Sequence, residues 1–166
     1  VSPTINTNYT VTGTSAAGCV NTSTASVVVG SAPSIAVNSM SVCSGSSTTL
    51  TASGVTTYTW NTGSNASSIS VAPTGNTTYT VSGNLTGCAT IATNTVNVNV
   101  IANPTVSVNS STICSGSSTA LTASGATTYS WNSGATTSSI SVSPTTNTNY
   151  TVTGTSNGCT NTKVTT

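Results

Sequence analysis

The chain repeats itself at a fixed interval. Cys43 recurs at Cys114, Trp60 at Trp131, Tyr79 at Tyr150, Cys88 at Cys159 and Pro33 at Pro104, each step being 71 residues. "SVCSGSSTTLTASGVTTYTWNTG" at 41–63 returns as "TICSGSSTALTASGATTYSWNSG" at 112–134. An earlier partial copy precedes both: "SPTINTNYTVTGTSAAGC" at 2–19 matches "APTGNTTYTVSGNLTGC" at 72–88 and "SPTTNTNYTVTGTSNGC" at 143–159. Such self-similarity makes each copy one structural unit stacked on its neighbours. The division expected is the C-terminal part of a repeat over 1–31, a complete repeat over 32–102, and a repeat lacking most of its last strand over 103–166. The 166 residues read as a window onto a longer array. The rival is a subunit whose incomplete ends complement each other in a polymer.

Within the whole repeat, apolar residues alternate with polar ones. Ile35 and Val37 do so, as do Leu50 and Ala52, Tyr58 and Trp60, Ile69 and Val71, and Tyr79 and Val81; Val96, Val98 and Val100 flank Asn97 and Asn99. This period of two marks strands with one apolar face. Turn residues separate the runs, as at Ser44-Gly45-Ser46, Ser53-Gly54 and Pro73-Thr74-Gly75. No helical period appears. Six or seven short strands in about 71 residues predict an all-β fold, a small antiparallel β-sandwich repeated in tandem.

The order of landmarks makes that sandwich immunoglobulin-like. Trp60 falls on the third strand, where such folds keep a core tryptophan. Tyr79 follows a proline-containing corner and opens the next-to-last strand, so its hydroxyl is expected to bond back to the preceding turn. Antibody domains carry cysteines at the positions that Leu50 and Val81 hold here, so apolar packing on Trp60 replaces their inter-sheet bridge. The predicted cores are Trp60 with Leu50, Tyr79 and Val81, and Trp131 with Leu121, Tyr150 and Val152.

The combined pattern C-S-G, T-x-x-W, P-T-x-x-T-x-Y-T-V, G-C resembles the immunoglobulin-like or PKD-like repeats of giant cell-surface adhesins of the Bacteroidota, proteins exported by the type IX secretion system and including gliding-motility adhesins. The likeness covers the whole chain. It implies an extracellular, adhesive or filament-forming role. This chain departs from the pattern in having no Asp, which removes both calcium-binding loop tips and an Asp-containing glycosylation signal.

Composition narrows function further. Ser, Thr and Asn make up roughly half of the chain, far above ordinary usage, and Lys163 is its one charged side chain. Without basic residues there is no footprint for nucleic acid and nothing to draw the chain to anionic lipid. No apolar run is long enough to span a membrane. General acid–base catalysis needs a group titrating near neutrality, and a serine nucleophile needs a base; with no His, Asp or Glu, neither is available. Calcium needs carboxylates, and zinc would need closely spaced cysteines, whereas Cys19, Cys43, Cys88, Cys114 and Cys159 contain no C-x-x-C pair. No cofactor is expected, and the segment is read as non-enzymatic.

Pairing of the cysteines follows from the strand order. Cys43 lies between the first and second strands, at the end of the sandwich where the chain exits; Cys88 lies in the last turn, at the end where it enters. A six-residue strand spans roughly 20 Å, but a disulfide needs Cα atoms within about 7 Å. In a head-to-tail array the exit end of one repeat faces the entry end of the next, which brings Cys43 to Cys159. The alternative, Cys43 with Cys88 and Cys114 with Cys159 inside single repeats, requires a different strand order. The leading expectation is thus a structural, adhesive stalk or filament segment outside the cell, partnered by neighbouring repeats and by other copies, surface polysaccharide or a host or solid surface. Two alternatives stand beside it: a carbohydrate-binding array, which needs an exposed Trp60 or Trp131, and a filament of separate chains.

Overall fold

The computed structural model describes all 166 residues and contains only strands and turns. The complete repeat comprises β3 (Ala36–Val37), β4 (Ser41–Cys43), β5 (Thr48–Ser53), β6 (Thr59–Trp60), β7 (Ser68–Val71), β8 (Thr77–Gly83) and β9 (Ala92–Ile101). One sheet has the order β3-β5-β7 and the other β4-β9-β8-β6. The alternation dictates which faces meet: Leu50, Ala52 and Ile69 point inward from the first sheet, and Trp60, Tyr79, Val81, Val96 and Val98 from the second. This is the strand order of an immunoglobulin-like sandwich, with Trp60 on the strand beside β8.

The opening strand is shared between the sheets. Its first part, β3, pairs antiparallel with β5, and its second part, β4, pairs parallel with β9 through Ser41↔Asn99 and Cys43↔Ile101. That parallel pair interrupts an otherwise antiparallel pattern. Asn38 makes the switch possible. Its side chain accepts from the Thr51 N–H at 2.6 Å and donates to the Thr49 carbonyl at 3.1 Å, so an amide side chain completes the ladder while the backbone leaves it. Asn109 repeats the arrangement with Thr122 N–H at 2.6 Å and Ala120 O at 3.0 Å.

The next repeat has β10 (Ser107–Val108), β11 (Thr119–Ser124), β12 (Thr128–Trp131), β13 (Ser139–Val142), β14 (Tyr150–Ser156) and β15 (Cys159–Thr165), in sheets β10-β11-β13 and β12-β14-β15. Its core is Val106, Leu121, Ala123, Trp131 and Val152. The last strand, β15, pairs with β14 from Ser156↔Cys159 to Tyr150↔Thr165. Since Tyr79 faces Val96 in the complete repeat, β15 ends at the position of Val96. Residues 112–114, which match β4, form no strand.

The β14–β15 connection is the two-residue turn Asn157-Gly158, both with positive φ (52° and 79°), the pairing favoured in a type I′ hairpin. Gly54 and Gly125 are held for a second reason as well. Both have positive φ, 102° and 90°, and a Cβ on either would overlap a backbone carbonyl, that of Ser34 or Thr105. At the N-terminus β1 (Thr7–Thr14) and β2 (Val20–Val27) form a hairpin in register with Tyr9↔Ala25 and Thr7↔Val27. It matches β8–β9, but here Val11 is 67% exposed, where its counterpart Val81 is fully buried.

Candidate functional site

The chain's reactive chemistry is confined to its cysteines, and two of them are joined. Cys43 ends β4 and Cys159 opens β15. Their Sγ atoms form a disulfide between residues 116 positions apart, with Cα atoms 5.5 Å from each other. Neither within-repeat pair, Cys43–Cys88 or Cys114–Cys159, is made: Cys88 and Cys114 are free, as is Cys19. The joined pair sits where the exit end of one sandwich meets the entry end of the next, and Cys159 is completely buried there.

Hydrogen bonds on both flanks hold the link between the repeats. The Ser44 N–H donates to the Ile101 carbonyl at 2.9 Å, and Asn103 Nδ2 donates back to Ser44 O at 3.2 Å. On the other side Asn161 Nδ2 donates to Pro104 O at 3.0 Å. Residues 101–104 are thus tied to the strand of each cysteine. The turn after Cys43 is itself docked on the proline corner: Gly45 N–H donates to Pro73 O at 3.0 Å and Ser44 Oγ to Thr74 O at 3.2 Å. Gly116 and Ser115 do the same to Pro144 and Thr145 at 3.0 and 3.1 Å. The recurrence of C-S-G and P-T together was the available sign of this contact. Asn103 and Asn161 gave none in a chain so rich in asparagine.

Both tryptophans are interior. Trp60 and Trp131 are 1% and 3% exposed, and each indole Nε1–H donates to a carbonyl at 2.9 Å, that of Ala66 and of Thr137. A buried indole whose N–H is already bonded is a packing residue, so neither ring is free to stack on a sugar. Leu50, Val81, Leu121 and Val152 are buried with them.

Two expectations about tyrosine need correction. The Tyr79 ring is buried, but its hydroxyl makes no bond to the preceding turn. The tyrosine that clasps a turn is Tyr129, whose Oη donates to Ala126 O at 2.9 Å and accepts from Ala126 N–H at 3.0 Å. Tyr150, placed in the second core by sequence, is only half-buried and packs at its margin. It borders a cavity of about 340 Å³ together with Leu121 and Val142. In the complete repeat Leu50, Tyr79 and Val98 belong to one buried cluster, with Val71 packed against it.

Neither a protein-family model nor a curated protein matches the sequence. Among solved structures the chain is similar to immunoglobulin domains 1–4 of Sidekick-1, at 15% identity and a TM-score of 0.40, over 96% of this chain and 57% of that one. It is similar to the N-terminal four Ig domains of Dscam1 isoform 9.44, at 10% identity and 0.32, over 95% and 53%. A chimeric titin Z1Z2 tandem aligns at 16% identity and 0.29, over 78% and 93%. The chain thus spans little more than half the length of the first two.

Proposed function

We propose that this chain is a load-bearing segment of an adhesive repeat array on a bacterial surface, a stalk or filament of immunoglobulin-like domains divided at 1–31, 32–102 and 103–166. The observation that carries the reading is the Cys43–Cys159 bond, which ties one repeat to the next. Disulfides persist in oxidising surroundings outside the cytosol, and a bond across a domain joint serves shape more than chemistry. The absence of acids, histidine and arginine supports a non-enzymatic role. The resemblance of the repeat motifs to Bacteroidota adhesins supports cell-surface placement and type IX export. Rows of Thr and Ser on the outer faces offer hydrogen bonds to polysaccharide or a solid surface.

An antibody raised against this segment should label intact, unpermeabilised cells of the organism that carries the gene, and deleting the repeats should reduce attachment. Labelling that appears only after permeabilisation would overturn the reading.

A further inference from the structure

We infer that the Cys43–Cys159 bond diverts mechanical load around both cores, so that a chain pulled by its ends cannot be unravelled through them. Tension follows the shortest covalent path. Entering at Val1, it runs through β1, β2, β3 and β4 to Cys43. There it meets two routes to Cys159: the backbone, 116 positions long, and the disulfide, whose Cα atoms are 5.5 Å apart. The short route cannot lengthen, so the long one stays slack. The force then leaves along β15 to Thr166.

Nearly everything that stabilises the fold lies on the slack route. Of the nine buried residues in the first core only Ile35 falls outside the loop, and all five of the second core fall inside it. Trp60, Val81, Trp131 and Val152 therefore lie off the covalent path of the tension. Residues 102–104, the link at which tandem domains usually bend, are enclosed as well. Two connections between the repeats, backbone and disulfide, restrict hinging more than one would. What remains loaded is the N-terminal hairpin, β3, β4 and β15. β4 is the weak element, since it pairs with β9 only over Ser41–Cys43. The use of this property in a stalk rests on the function proposed above; the property itself belongs to the isolated chain.

Single-molecule extension tests it, on a chain held by peptide tags at both ends, with Cys19→Ser, Cys88→Ser and Cys114→Ser removing other pairings. With the bond intact, only residues 1–43 and 159–166 can be drawn out, roughly 180 Å at full stretch. A dithiol reductant gives two electrons and two protons to the bond, yielding two cysteine thiols and its own cyclic disulfide. The same chain should then reach roughly 580 Å, a threefold increase. Adding Cys43→Ala and Cys159→Ala should give the longer value without reductant, and this holds whether or not the variant folds, because contour length does not depend on folding. An oxidised chain that already extends to the longer value, or one that reductant leaves unchanged at the shorter value, overturns the inference. Failure of surface labelling would leave this result untouched.

Discussion

Trp60 lies directly across from Val81 on the adjacent strand, and the same pair returns as Trp131 and Val152. In antibody domains the position of Val81 belongs to a disulfide cysteine. Here a valine and the indole beside it fill that space, with Leu50 or Leu121 facing them from the other sheet. The covalent bond has moved from inside the sandwich to the joint between sandwiches.

If these aromatic centres hold each repeat together, Trp60→Ala should cost about 3–5 kcal/mol, most of the stability of a small domain. Trp131→Ala should cost a similar amount. Urea denaturation followed by circular dichroism should show the mutated repeat melting first, before the remaining tryptophan reports unfolding of the other repeat. A loss below about 1 kcal/mol would mean that the indoles are not packed as described.

Glycines that share a backbone conformation should separate by their surroundings. Gly134, with φ 87°, has open space where a Cβ would go, whereas Gly125, with φ 90°, faces the Thr105 carbonyl. Gly134→Ala should cost about 1–2 kcal/mol from the left-handed backbone alone. Gly125→Ala should cost roughly twice that or more, because steric overlap adds to strain. Equal losses in denaturant titrations would contradict the close approach of Gly125 to the Thr105 carbonyl.

Stability should be nearly flat from about pH 4 to 8. Linkage requires a group that binds protons differently in the folded and unfolded states, and side-chain carboxylates and imidazoles are absent from this chain. Salt should matter equally little. A melting temperature that drifts by more than roughly 5 °C across that range would require a titrating partner outside the chain. The range stops near pH 8 because thiol–disulfide exchange quickens above it.

Much of this architecture was legible because alternation and landmarks agreed. Leu50, Trp60 and Val81 each fit a period of two and a fixed place in the strand order. The meeting of Cys43 with Cys159 was legible too, since it depended on which end of a sandwich each cysteine occupies. Tyr150 lies at the margin of its core, where its cross-strand neighbour is the polar Thr165, whereas Tyr79 faces Val96. The tyrosine clasp expected at Tyr79 occurs instead at Tyr129, whose hydroxyl reaches back three positions to Ala126. Asn38 and Asn109, which let the opening strand change sheets, carry no local mark. An amide side chain that completes a ladder looks the same in sequence as one that faces water.

The covalent joint between repeats is the central claim, and disulfide mapping tests it most directly. With Lys163 as the sole tryptic residue, chymotrypsin is the suitable protease, cutting at Met40, Leu50 and Tyr150 to isolate the two cysteines. Under non-reducing conditions the peptide spanning 41–50 should appear joined to that spanning 151–166, and reductant should separate them. Finding Cys43 joined instead to the peptide spanning 86–121, which holds Cys88 and Cys114, would contradict the Cys43–Cys159 joint.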